Sequence, residues 1–401
     1  MKFAIILGDG MADRPIEELN GMTPIEAAET PMMDYLSAHG ELGLVATIPE
    51  GMKPGSDTAN LSVLGYDPKV YYSGRSPLEA LSLRVNMLDD DIALRTNIVT
   101  VSSEDDMAFA DRVITDHSSS EISTEDAAVL LNACREVFEN EEFAFYVGTS
   151  YRHCCIWHKG EVIDLAQPHD HLGEVIGQYL PENEKFRSMM ERSFEILNHH
   201  PINEERRAKG LNPANCFWFW GAGTKPKLFS FTEKTGLKGS MISAVDLLKG
   251  IGVGTEMNVL EVEGANGQLE TNYEGKADAA LKTLLEDGND FVYVHVEAPD
   301  EMGHQGSVER KVKSIAYLDQ RLIKRIYDGL KASGEDFRLL ILPDHETPIC
   351  IRTHASSPVP YILYDSREMT GSGLPYSEKC GAQTDIMISP GHILADRLIN
   401  Y

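Results

Sequence analysis

Phe3-Ala4-Ile5-Ile6-Leu7-Gly8-Asp9-Gly10 opens the chain with an unbroken apolar run that ends in an aspartate between two glycines. A run of this kind, without polar alternation, reads as a strand buried on both faces, the habit of parallel sheets covered by helices. Two later runs end the same way: Phe291-Val292-Tyr293-Val294-His295-Val296 leads to Asp300, and Leu339-Leu340-Ile341-Leu342 leads to Asp344. Ligands of open α/β sheets gather beyond the carboxyl ends of the strands, so the three aspartates are predicted at one sheet edge.

Three imidazoles and one hydroxyl accompany them. Asp300 and His304 are four residues apart, one helical turn, and can face the same ion if the segment is helical. His345 adjoins Asp344, and His354 follows in the next loop. Ser56 ends the Pro/Gly-rich loop 49–55 and starts a predicted helix, where free backbone amides and the positive end of the helix dipole suit a phosphate-accepting oxygen. Each residue alone has an ordinary explanation: Asp9 as a turn cap, Asp344-His345 as a strand-ending turn, His354 as a surface histidine. Their joint occurrence points to a two-metal hydrolase-type centre with Ser56 as nucleophile, and mixed N/O donors favour Mn²⁺ or Zn²⁺ over Ca²⁺.

Composition narrows the partners. The chain carries 36 basic and 63 acidic side chains, a formal net charge of −27, which repels nucleic acid and anionic membrane alike. An anionic substrate must be held by local cations or by metal. Six scattered cysteines without Cys-x-x-Cys spacing, no signal-peptide pattern and no spanning apolar stretch are expectations for a soluble, cytoplasmic protein with reduced thiols.

At 401 residues the chain is long for one core. Alternating strand-like and helix-like segments predict an α/β fold, a doubly wound, mostly parallel sheet with a smaller inserted α/β cap domain. The expected boundaries are 1–71 and 215–401 for the metal-binding domain, 72–195 for the cap, which should close over the metal domain, and 196–214 for the return linker. Thr30-Pro31 reads as a capped helix start, the stretch 308–331 as one helix, and Gly250-Ile251-Gly252-Val253-Gly254 as a loop, since it lacks the setting of a dinucleotide fingerprint. His169-Asp170-His171 resembles a ligand cluster, yet it lies in a Pro-containing loop of the inserted domain and is not expected to bind metal, and no P-loop sequence occurs.

With these residues in view, the chain resembles the cofactor-independent phosphoglycerate mutases of the archaeal-type branch, within the alkaline phosphatase superfamily. The resemblance runs nearly end to end, through Gly8-Asp9-Gly10, Pro54-Gly55-Ser56-Asp57-Thr58-Ala59-Asn60, Gly74-Arg75-Ser76-Pro77, Asn272-Tyr273-Glu274-Gly275-Lys276, Glu297-Ala298-Pro299-Asp300-Glu301-Met302-Gly303-His304 and Pro343-Asp344-His345. It implies one metal on Asp9, Ser56, Asp344 and His345, another on Asp300, His304 and His354, with Mn²⁺ preferred and Zn²⁺ or Mg²⁺ as alternatives. It also implies that Lys234 reaches the transferring phosphate of a small phosphorylated metabolite, and that 3- and 2-phosphoglycerate interconvert through phosphoserine. Arg75, Arg206 and Arg207 are the cations expected to hold carboxylate and phosphate. One departure stands out: where the archaeal mutases resemble one another in an arginine-bearing segment, this chain has Asp116-His117-Ser118-Ser119-Ser120-Glu121. Asp116 or Glu121 would suit the ammonium group of homoserine, so a homoserine kinase-like phosphotransferase is the alternative, followed by a phosphatase or phosphopentomutase-like enzyme.

Overall fold

A computed structural model describes residues 1–368 and 371–400. The strands, in chain order, are β1 (Lys2–Gly8), β2 (Glu41–Val45), β3 (Ile92–Val101), β4 (Ile114–Asp116), β5 (Phe143–Tyr146), β6 (Arg152–Trp157), β7 (Cys216–Thr224), β8 (Gly239–Ile242), β9 (Asn258–Leu260), β10 (Phe291–Val296), β11 (Phe337–Leu342), β12 (Val359–Asp365) and β13 (Met387–Ile388). The chain divides into two compact units, one made of Met1–Tyr72 with the chain from Lys227 on, the other of Ser73–Pro226.

The first unit is α/β. Its sheet runs β13-β2-β12-β11-β1-β10-β8-β9, and every pairing is parallel except the two made by β12. Ala4, Ile6, Val292, Val294, Leu339 and Ile341 join a cluster with Met33, Leu36, Ala277 and Leu322, while Ile5, Leu7, Tyr293, Leu340 and Leu342 are just as buried on the opposite face. Burial on both faces explains the unbroken apolar runs. In register, Leu7 sits beside His295 on one side and Leu342 on the other, so β1, β10 and β11 end level with one another.

The second unit is built on an antiparallel sheet in which β3 pairs with β4, β6 and β7. The amphipathic helices Thr124–Phe138 and Glu184–Leu197 contribute Leu130, Leu131, Phe186 and Met190 to a core shared with Phe145, Phe217 and Phe219. Here the sequence expectation needs correcting. β7 is hydrogen-bonded along β3, which keeps residues 215–226 in the second unit, and the expected linker 196–214 contains the helix Pro201–Ala208. Non-local pairing of this sort leaves no local mark.

Three further readings change. Residues 250–254 close the helix Asp246–Gly254, where Gly252 lies against Val259 and Met241 of the sheet. The stretch 308–331 is two α-helical segments joined by a π turn, Leu318–Ile323. That turn presents Asp319, whose carboxylate accepts the N–H groups of Met32 and Met33 at the start of the helix Pro31–His39. Thr30 makes no side-chain cap, so a distant carboxylate does that work. Among the described residues no helix is long and apolar enough to cross a membrane.

One buried ion pair ties the sheet edge together. The Lys311 ammonium donates to Asp13 at 2.8 Å and to the carbonyl of Thr347 at 2.8 Å, while Asp13 also accepts from Ile349 N–H. Lys311→Met should cost about 3–5 kcal/mol, because it strands a buried carboxylate. Chemical denaturation of the two proteins measures it, and a difference under about 1 kcal/mol would contradict the pairing.

Candidate metal centre

Level strand ends decide the geometry. Asp9 leaves β1, Asp344 leaves β11, and β10 passes into the short helix Ala298–His304 that carries Asp300 and His304 one turn apart. All lie within the first unit. Asp300, His304 and His354 offer ligand atoms within 4.8 Å of one another, and so do Asp9, Asp300 and His345. His304 Nε2 is 3.2 Å from Asp300 Oδ2 and 3.0 Å from His354 Nε2. Asp344 joins at the rim, 3.4 Å from His345 Nε2.

Ser56 is the first residue of the helix Ser56–Val63. Its Oγ lies 3.1 Å from His345 Nε2 and 3.3 and 3.4 Å from the two Asp9 oxygens. Asn60, one turn on and fully buried, fixes this start: its amide donates to the Ser56 carbonyl and to Asp344 Oδ2, and its own oxygen accepts from Tyr293.

Charge crowding dominates the electrostatics. Burial, then the neighbouring Asp344, Asp300 and Glu297, push the Asp9 carboxyl well above its ordinary value. Asp300 goes the other way: burial opposes its ionisation, but hydrogen bonds from His304 and His354 outweigh it. His304 is raised to about 9, chiefly by its bond to Asp300. Carboxylate oxygens and imidazole nitrogens converging around mutually repelling buried charges fit divalent metal of the N/O-binding kind.

Some supporting residues were given no role by the sequence reading. His295 Nε2 is 2.9 Å from Asp9 Oδ2, and its Nδ1 is 3.2 Å from Ser243 Oγ; its position at the end of an apolar strand was the one available clue. Lys276, fully buried, donates to the His295 carbonyl at 2.8 Å, and burial lowers its ammonium to about 8. Thr347 was likewise unmarked.

Other expected site residues distribute differently. Lys234 pairs with Asp396 at 3.5 Å, and a Cβ on Gly65 would meet its ammonium at 3.3 Å. That places its ammonium beside Gly65, just past the C-terminal end of the Ser56 helix. In the second unit, Arg75 and Arg95 share Glu79, Arg95 stacks on Trp220 at 4.6 Å, His169 lies 5.4 Å from Trp220, and His117 lies 6.1 Å from His169. Arg75 and His117 thus lie at the two ends of a chain of contacts through Glu79, Arg95, Trp220 and His169, of which the sequence reading missed Glu79, Arg95 and Trp220. His169 belongs there and not to a metal cluster with Asp170 and His171, since His171 stacks on Tyr179.

Arg206, Arg207 and Asp116 are corrected to structural uses. Buried Arg206 donates to the carbonyls of Asn212 and Ser119, and Arg207 to both oxygens of Asn198. Asp116 accepts from the Ser118 and Ser120 N–H groups and from the Asn212 amide.

Fold and site define the class: an α/β protein that gathers Asp and His ligands around a helix-start serine at the carboxyl edge of a mostly parallel sheet. The family profile described as 2,3-bisphosphoglycerate-independent phosphoglycerate mutase matches residues 37–203. A protein of that name from Methanosarcina barkeri is 48% identical over 369 residues, 91% of this chain and 90% of its own. One from Geobacter sulfurreducens, named as a probable member, is 42% identical over the full length of both. Among solved structures, a Pyrococcus horikoshii protein superposes with a TM-score of 0.82 at 29% identity, over 100% of this chain and 96% of its own. The cofactor-independent phosphoglycerate mutase of Thermoplasma acidophilum gives 0.65 at 27%, over 99% of each. The chain belongs to the 2,3-bisphosphoglycerate-independent phosphoglycerate mutase family.

Gly10 has a φ of +58°, and a Cβ there would lie 2.4 Å from Thr347 Oγ1 and 2.5 Å from Asp300 Oδ1. Gly10→Ala should therefore weaken Mn²⁺ binding at least tenfold by displacing Asp300. Isothermal titration checks it, and unchanged affinity would refute this placement of Asp300.

Proposed function

We propose that this chain interconverts 3-phosphoglycerate and 2-phosphoglycerate through a phosphoserine at Ser56, with two divalent ions, Mn²⁺ preferred. The observation that carries the reading is the Ser56 hydroxyl at a helix start, within 3.4 Å of Asp9 and His345, on the edge where Asp300, His304 and His354 also converge. Family membership supports the same activity.

Asp9, Ser56, Asp344 and His345 would hold one ion and Asp300, His304 and His354 the other. Bound there, divalent metal supplies positive charge for a serine alkoxide and for non-bridging phosphate oxygens. Ser56 Oγ attacks phosphorus, the bond from phosphorus to the glycerate 3-oxygen breaks, and that oxygen takes up a proton as the serine loses one. The 2-hydroxyl oxygen of the same glycerate then attacks phosphorus, the bond from phosphorus to Ser56 Oγ breaks, and Oγ takes up a proton as the 2-hydroxyl loses one. Such transfer depends on positioning and charge neutralisation. Asn60 contributes positioning by anchoring the Ser56 turn to Asp344, and His295 by holding Asp9. The second unit is proposed as the domain that binds the substrate's acid groups, through the cluster of Arg75, Arg95, His117 and His169. Asp116, one of the two acidic groups on which the homoserine alternative rests, is engaged in its own turn.

Purified Mn²⁺-loaded protein should convert 3-phosphoglycerate without added nucleotide. Ser56→Ala should lower kcat by at least 10³-fold while leaving the fold intact. Rapid ATP-dependent phosphorylation of homoserine with no mutase turnover would overturn the substrate, and normal turnover by Ser56→Ala would overturn the nucleophile.

A further inference from the structure

We infer that Thr347 is a positioning residue that locks His345 into one tautomer and couples the two groups of metal-type ligands through a single hydroxyl. Its Oγ1 lies 2.5 Å from Asp300 Oδ1 and 3.2 Å from His345 Nδ1. A threonine hydroxyl has one proton and an ionised carboxylate has none to give. The hydroxyl therefore donates its proton to Asp300. Only lone pairs then face His345, and Nδ1 must carry the ring's hydrogen. Nε2 is left with its lone pair toward Ser56 Oγ, 3.1 Å away, the state in which an imidazole ligates metal. His304 Nδ1 is likewise engaged, by the Arg352 carbonyl at 3.0 Å, which leaves its Nε2 as the nitrogen facing Asp300 and His354.

The hydroxyl is held in place from three sides. Lys311 donates to the Thr347 carbonyl at 2.8 Å. A Cβ on Gly10 would lie 2.4 Å from Thr347 Oγ1, and one on Gly303 would lie 2.7 Å from the Thr347 carbonyl oxygen and 2.9 Å from its Cγ2, so both positions have room only for glycine. Thr347 is fully buried. Because Asp300 takes part in both ligand groups, loss of this hydroxyl disturbs both at once.

The inference rests on the metal-ligand reading of Asp300 and His345, and two measurements separate the claims. Mn²⁺ titration of the wild type tests the ligands. Thr347→Val, which keeps the shape and removes the hydroxyl, should weaken Mn²⁺ binding about 10–100-fold, whereas Thr347→Ser should stay within about threefold of wild type. Equal losses in Val and Ser, or no loss in Val, would overturn the role. Independently of metal and of any variant at 347, nitrogen NMR of histidine-labelled metal-free wild type, with the His345 signal assigned by its absence in His345→Gln, should show the Nδ1–H tautomer. An Nε2–H tautomer there would overturn the inference even if the titrations could not be made.

Discussion

Asp9, Asp300 and Asp344 are buried together where three parallel strands end level, and like charges so placed repel strongly in a medium that screens them poorly. Everything around the site answers that repulsion. His295 reaches Asp9, His304 and His354 reach Asp300, the Gly10 N–H and the Asn60 amide reach Asp344, and the remaining imbalance is what divalent metal would relieve. A register slip of one residue on β1 would exchange the side chains packed on its two faces and shift Asp9 along the edge by about 3.3 Å. Fold and site are therefore fixed by one constraint.

The surface sharpens the same logic. A chain of net charge −27 disfavours an anionic substrate at long range, so attraction must be local. The second unit gathers Arg75, Arg95, His117 and His169 around Trp220, with Glu79 orienting the two arginines. Stacking on an aromatic face and sharing a carboxylate hold guanidinium groups in place, which suits selection of a small multiply charged acid over other anions.

What was legible in the sequence follows from which forces leave a pattern. β1, β10 and β11 were readable because burial on both faces removes polar residues, and Asp300 and His304 because a helical turn has a fixed spacing. Thr347 and His295 were not, since a buried hydrogen-bonding side chain has no periodicity and its partner lies far along the chain. β7 was misplaced for the same reason: its apolar run announces a strand but does not say that β3 is its neighbour. Arg206 was misread because a guanidinium that ties loop carbonyls together looks, in sequence, like one that awaits an anion. Gly250 to Gly254 was read as a loop because it lacks the setting of a dinucleotide fingerprint, yet it closes a helix in which Gly252 packs on Val259 and Met241.

The most direct test of the account is anomalous scattering at the manganese edge from crystals of the Mn²⁺-loaded protein. Two peaks are expected in each chain, one among Asp300, His304 and His354, the other among Asp9, Asp344, His345 and the Ser56 hydroxyl. A single peak, or density away from these residues in well-occupied crystals, would contradict it.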